Sequence, residues 1–476
     1  MLFAKKMSVA LIGCILLISG CEPPKPKMMD NQEIPCSVHR VDIPTSPDFK
    51  PSLYITLPDA CPVPDGTTLD KQTGIIYLNT PNYVPREGEN QKKKYPALLA
   101  QFDRDANFKI LLNYEEIIPH PVSGEVGPMG MDLGPDGNLY VCDNQFFCSD
   151  GDKGPGSVSS RVLRVEMKDG VPTGKIDVVV DGLKLANALV WENGICYVTD
   201  TQIKAASDSS DEVFGEGGIW RFTAEELTKA TAAIQVDPTV KGGVAADPRL
   251  TIILPCKKIG RGDNSGLDGA TWAWGALYVG NFGDGVMFRV EFDENGKASA
   301  TTVLDDPSVH CCDGIFYDDV TDKIYINDSQ ANAIRTLDKN HKHGWLWMND
   351  DCTGDGGLLD QPAECIVRDG ILYVVNFDWP FPGLKNTAND KPHSISAITL
   401  PVSETPAPAS ESVPPTDISE EIVDAVIIEE LPPSEAPAPA PEPPAPETPS
   451  ETPAPAPEPQ APATPPETPA PAPETP

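Results

Sequence analysis

Between residues 64 and 376 the chain repeats one polar and apolar pattern six times. A short alternating segment opens on a polar or small residue, a turn of Gly, Asp or Asn follows, and a second segment is centred on an aliphatic-Tyr pair. The copies are PDGTTLDKQTGIIYL from Pro64, GPMGMDLGPDGNLYV from Gly127, ANALVWENGICYVTD from Ala186, LDGATWAWGALYVGN from Leu267, CDGIFYDDVTDKIYIN from Cys312 and AECIVRDGILYVVN from Ala363. Pro135-Asp136-Gly137-Asn138, Glu192-Asn193-Gly194 and Arg368-Asp369-Gly370 supply turn residues that tolerate tight hairpin geometry.

A further strand pair follows each hairpin, as in VMFRVEFDENGKASATTVL from Val286, where a DENGK turn joins two alternating segments. Four strands per unit, at about 45 to 80 residues per unit, predict an all-β six-bladed propeller over residues 51–400. Helical repeats are excluded because the units lack helix pairs. TAEELTKATAAI from Thr223 predicts a short helix inserted on the rim of the longest unit. The sixth unit runs from SISAITL at Ser394 into a proline-rich tail, so its fourth strand must come from elsewhere. PSLYITL from Pro51 is the expected donor, closing the ring without an open edge.

The ends of the chain carry different signals. Lys5 and Lys6, an apolar stretch from Val9 to Ile18, and small residues before Cys21 predict a signal peptide over residues 1–20. The apolar stretch is too short to span a bilayer. Ile18-Ser19-Gly20-Cys21 resembles a bacterial lipobox, so Cys21 is expected to carry the lipid and 21–50 to form a lipidated tether. That places the protein in the bacterial cell envelope, on a membrane anchor. Residues 401–476 hold about half of the 52 prolines and no Lys or Arg, which predicts a disordered Pro/Ala/Glu-rich tail. Within it DISEEIVDAVIIEEL, residues 417–431, has a capping box and helical spacing. It reads either as a transient helix or as a docking motif for a protein partner.

A formal charge of −35 excludes nucleic acid as a partner. Of the 12 cysteines, Cys14 leaves with the signal peptide and Cys21 is consumed by the lipid. The even number that remains suggests disulfides in an exported chain, and Cys142 and Cys148, which bracket a short loop, are the expected pair. Adjacent Cys311 and Cys312 are expected to pair elsewhere or stay thiols. Zinc-type cysteine pairs and a Cys-x-x-Cys-His haem motif are absent, which removes electron transfer from the candidate functions.

Asp65, Met129, Asn187, Asp268, Asp313 and Glu364 occupy equivalent places in the six copies and should therefore face one axis. Four converging carboxylates would repel one another, and a hard cation with oxygen ligands is the usual remedy. Ca²⁺ is the first choice, since neither His nor Cys joins the ring. The alternative is ordinary turn chemistry, with the carboxylates bonded to backbone amides at a channel mouth. His310, three residues before Asp313, is a second candidate base and channel-lining residue. Arg261-Gly262-Asp263 sits in a Gly-rich loop and carries no functional weight.

ANALVWENGICYVTDT and GLDGATWAWGALYVGNFGDGVMFRV resemble blade motifs of the senescence-marker-protein, gluconolactonase and luciferin-regenerating-enzyme-like propellers, over roughly residues 55–400. The resemblance implies that Asp65, Asn187 and Asp268 ligate a divalent cation and that Asp268 also serves as the base of a lactone or ester hydrolase. Pro128-Met129-Gly130 departs from the family pattern, where a polar start is expected. The competing expectation is a non-catalytic envelope lipoprotein whose propeller binds a ligand or a protein.

Overall fold

The computed structural model describes residues 47–83, 93–145, 148, 158–204, 215–256, 266–380 and 384–401. The signal peptide, Cys21, most of the 21–50 tether, Arg261-Gly262-Asp263 and the tail beyond residue 401, with its 417–431 segment, lie outside the described residues.

Each aliphatic-Tyr segment becomes the second strand of an antiparallel sheet. Ile76–Thr80, Leu139–Asp143 and Ala276–Asn281 are buried along their whole length. A strand covered on both faces reads as a continuous apolar run, and here the neighbouring sheets do the covering. The rim strands Phe108–Asn113 and Ala298–Leu304 mix exposed with half-buried positions, so apolar character falls from centre to rim.

Six such sheets lie among the described residues, each with four antiparallel strands; in the third the fourth strand, Leu250–Cys256, follows an insertion, and the sixth borrows its fourth from the N-terminal segment. Their innermost strands are Thr67–Leu69, Pro128–Leu133, Ala186–Glu192, Leu267–Ala273, Ile315–Asp318 and Pro362–Arg368. Every innermost strand touches those of the sheets before and after it, and the sixth touches the first. That closed cycle makes the protein a six-bladed β-propeller.

The tight hairpins follow the turn chemistry. Asn193 (φ 48) with Gly194 (φ 75), and Asp369 (φ 56) with Gly370 (φ 75), take the paired positive φ angles that the hairpin twist favours. The fourth blade does the same with Trp274 (φ 46) and Gly275 (φ 77). There the indole Nε1 of Trp274 donates to Asp322 Oδ1 at 2.6 Å and its ring meets Tyr278 and Tyr317 edge-on, which holds a bulky residue in a conformation it rarely adopts.

The rim insertion in the third blade forms as expected but is shorter. The helix spans Ala224–Thr228, opened by a Thr223/Glu226 capping box. The pattern continues to Ile234, but Ile234–Gln235 pairs parallel with the outer strand of the second blade, and Ile234 packs against the apolar core between the two blades.

Ser52–Thr56 lies antiparallel to Ser394–Thr399 as the fourth strand of the sixth blade, so the N-terminal segment closes the ring. Ile55 and Leu57 pack with Leu78 and Phe102 of the first blade and Val375 and Ile395 of the sixth. Across the same seam the Arg368 guanidinium donates to Gly74 O at 2.7 Å and Asp103 O at 3.1 Å while lying 4.6 Å from the Tyr373 ring centre.

Ile55→Ala should therefore cost about 2–5 kcal/mol of unfolding free energy in urea denaturation, the range for emptying a buried aliphatic site. Leu53→Ala, on the 42% exposed face of the same strand, should stay within about 0.5 kcal/mol. Equal effects at the two positions would mean that this strand does not seal the ring.

Candidate functional site

The innermost strands enter the axis in one way. In four of the six, a register shift falls at the strand start: between Pro128 and Met131, Ala186 and Leu189, Leu267 and Ala270, and Pro362 and Glu364. Such bulges bend the strand and re-aim a side chain. The residue after each axial position is small because the next blade is in contact. A Cβ on Gly66 would overlap the Met129 carbonyl, one on Gly130 would meet Asn187 O and Ala188, and one on Gly269 would strike Asp313 O and Gly314. Gly314 N donates to Ala363 O at 2.7 Å, Asn79 Nδ2 to Met129 O at 2.7 Å and Thr199 Oγ1 to Asp268 O at 2.8 Å, tying adjacent blades at this level.

Several of the axial side chains lie close enough to act on one another's charge. Asp65, Asn187 and Asp268 are each 8% exposed. Burial first, then the charges of Asp313 and Glu364, pushes the Asp65 carboxyl well above the usual carboxylate range. Asp268 is raised in the same way by burial and then by Asp313, Asp65 and Glu364, with a hydrogen bond from Asn187 opposing the rise. Glu364 is pushed up to about 8, mainly by burial and also by Asp313, against a 2.9 Å hydrogen bond from Cys365 N. Asp313 accepts from Gly314 N at 3.1 Å. The amide bonds of the turn-chemistry alternative are thus present, yet each takes up only one acceptor position and leaves the mutual repulsion in place.

This donor set suits a hard divalent cation: carboxylates and one amide, all oxygen donors, crowded out of water. Asp65, Asn187 and Asp268 are the residues that would hold it, and Asp313 and Glu364 complete the negative ring.

Met129 packs with Val63, Tyr83 and Phe377 in an apolar layer, and the Tyr83 hydroxyl lies 3.6 Å from the Met129 sulfur. His310 is tied to the fifth blade through its backbone N–H, which donates to Asp328 Oδ2 at 3.2 Å. The expected Cys142–Cys148 disulfide does not form; both are buried free thiols. Cys142 packs between the second and third blades beside Trp220 and Leu189, whereas Cys148 packs in a different cluster with Met129 and Tyr83. The short spacing in sequence hides two separate apolar compartments. None of the nine described cysteines, Cys311 and Cys312 among them, is joined to another in a disulfide, and Cys311 Sγ lies 3.3 Å from Ser329 Oγ.

One cluster escaped the repeat pattern. Among the described residues, Asp360, Asp378 and Asp390 are the group of acidic, His or Cys side chains whose ligand atoms all lie within 4.8 Å of one another. They flank the sixth blade's strands rather than sitting inside a repeat, and the only sequence trace is an Asn- and Asp-rich loop, NTANDKP from Asn386. A cleft of about 300 Å³ opens close by, lined by Asp59, Lys94, Tyr95, Asn389, Lys391 and His393, away from the axial ring.

No family model and no curated protein matches the sequence. Solved propellers are similar in architecture. A gluconolactonase from Xanthomonas campestris is 11% identical, with TM-score 0.43 over 75% of this chain and 97% of its own. A luciferin-regenerating enzyme is 12% identical, with TM-score 0.44 over 71% and 91%. The calcium-binding protein regucalcin from Agrobacterium tumefaciens is 9% identical, with TM-score 0.43 over 74% and 96%. At these identities the likeness concerns shape and not chemistry.

The raised axial carboxyls make stability depend on pH. A group held protonated in the fold but ionised in the unfolded chain stabilises the fold below its unfolded pKa, and that contribution is lost as pH rises through the folded pKa. For Glu364 the window runs from its ordinary 4.5 to about 8. In chelator, the wild-type melting temperature should fall across this window, and Glu364→Gln should flatten part of the fall and gain about 1 kcal/mol or more at pH 8. Parallel pH profiles for the two proteins would show that Glu364 is not strained.

Proposed function

We propose that this propeller is a lipid-anchored, extracytoplasmic hydrolase of a small lactone or ester, working at a calcium ion held by Asp65, Asn187 and Asp268. The observation that carries the reading is the burial of Asp65, Asp268 and Glu364 within one another's field at the axis, where Asp313, Asp65 and Glu364 raise the proton affinity of Asp268 and Asp313 raises that of Asp65 and Glu364. When bound, the cation would polarise the substrate carbonyl and stabilise the oxyanion. Asp268 takes the proton from the attacking water. Asn187 bonds the Asp268 carboxylate and orients it. Met129, Tyr83 and Phe377 form an apolar layer beside the ring and limit access of bulk water.

Anchoring through Cys21 is supported by the lipobox Ile18-Ser19-Gly20-Cys21. The partners on this reading are a small lactone or ester, the lipid membrane and, through residues 417–431, a protein. A second reading, a non-catalytic binding propeller, is favoured by Met129, which brings an apolar side chain to one of the six axial positions.

Asp268→Asn keeps the shape and removes charge and base together. It should weaken calcium binding at the axis by at least tenfold and abolish hydrolysis across a panel of lactones and aryl esters, whereas Asp313→Asn should do less to both. Calcium binding by the wild type without turnover of any substrate in that panel would replace the hydrolase with the binding propeller.

A further inference from the structure

We propose that Asp360, Asp378 and Asp390 form a second calcium site, separate from the axis, that pins the loops at the mouth of the sixth blade. Asp360 lies two residues before the inner strand Pro362–Arg368, Asp378 follows the second strand Ile371–Asn376, and Asp390 lies in the connection to Ser394–Thr399. Three separate stretches of one blade therefore deliver a carboxylate to one point.

Two of the three are left without the hydrogen bonds that would reconcile them to burial. Asp360 is 2% exposed, yet its Oδ1 has no hydrogen-bond partner, and the buried Oδ1 of Asp390 has none either. A buried carboxylate oxygen facing two other carboxylates is costly unless a proton or a cation lies between them. Asp378, by contrast, is firmly held: Asn386 Nδ2 donates to Oδ1 at 3.2 Å, and Asp390 N at 3.2 Å and His393 Nδ1 at 3.1 Å approach Oδ2. That is how outer groups fix the direction of a ligand.

Neighbouring cations do not fill the gap. Lys391 Nζ is 2.5 Å from Asp59 and Lys385 Nζ is 3.2 Å from Asp350. Without a counter-charge, burial and mutual repulsion push Asp360 up to about 9 and Asp378 up to about 8. The donors are all carboxylate oxygen, and oxygens in one calcium shell, each about 2.3–2.6 Å from the ion, lie no more than about 5 Å apart. The 4.8 Å spread of this cluster meets that limit. Loop-borne ligands of irregular geometry suit Ca²⁺ better than the stricter octahedron of Mg²⁺.

The site would brace the roof of the channel. Phe377 and Trp379 flank Asp378, and both pack in the apolar layer with Met129. Gln361, next to Asp360, accepts from Phe377 N at 2.9 Å and, through Oε1, from Trp379 N at 2.5 Å. Ordering the three aspartates orders this layer.

The test uses the full chain, stripped with EDTA, and two readings: bound ⁴⁵Ca²⁺ per chain by equilibrium dialysis at pH 7.5, and melting temperature in EDTA, in calcium and in magnesium. Asp360→Asn and Asp390→Asn should each bind one calcium fewer than the wild type. Asp268→Asn should retain this ion, so loss of the axial site and loss of the blade-six site are read separately. In EDTA, Asp360→Asn should melt at or above the wild type, because the cost of burying or protonating that carboxyl is gone. In calcium the wild type should rise by roughly 5 °C more than the variant, and magnesium should give less. Unchanged calcium stoichiometry in both variants, or Asp360→Asn melting below the wild type by the same margin in EDTA and in calcium, would overturn the proposal and assign the cluster a shared proton.

Discussion

Everything in this propeller follows from how closely six inner strands approach one another. Where Gly66, Gly130, Gly269 and Gly314 abut the next blade, a Cβ would overlap its neighbour. The residue before each small one is thereby turned to the axis, and four of the six so turned are acidic. Closing the ring and concentrating negative charge are the same structural act.

The blades differ in how they settle a buried acid at the end of the second strand. Asp143 is paired with Arg161 at 2.6 Å in the second blade and Asp328 with Arg335 at 2.7 Å in the fifth. Asp200 of the third blade accepts the Trp220 indole N–H at 3.1 Å and backbone amides of the preceding turn. Removing one partner of such a pair would strand a buried charge, so these links tie the second and third strands within their blades. The sixth blade places neutral Asn376 there, bonded to Ser394 and Ser396, and moves its acids outward to Asp360 and Asp378. At the axis and beside the sixth blade acids accumulate out of water, and a proton or a bound cation can balance them.

Much of this was legible in the chain. A Tyr after an aliphatic residue, or after Cys196 in the third blade, marks the second strand because that strand is covered on both faces, and Asn193-Gly194 and Asp369-Gly370 mark the hairpins because few residues accept two positive φ angles. The donor role of Ser52–Thr56 was readable from the missing strand. Equivalent places in the repeats singled out Asp65, Asp268, Asp313 and Glu364, whose charges act on one another in the fold. The Cys142–Cys148 pairing was not readable, because sequence distance carries no information about which side of a blade a side chain faces. Asp360, Asp378 and Asp390 escaped because their meeting depends on loop paths outside the repeat. Trp274 in a tight turn was equally hidden, since its tolerance comes from Asp322, Tyr278 and Tyr317, which reach it only in the fold.

The central claim, that the crowded axial carboxylates are reconciled by a cation, is tested most directly by anomalous X-ray scattering from crystals of the calcium-loaded protein. An anomalous peak on the propeller axis, with oxygens of Asp65, Asn187 and Asp268 about 2.3–2.6 Å away, is the result expected. An axis without anomalous density, its carboxyls bonded to one another or to ordered water, would contradict the account.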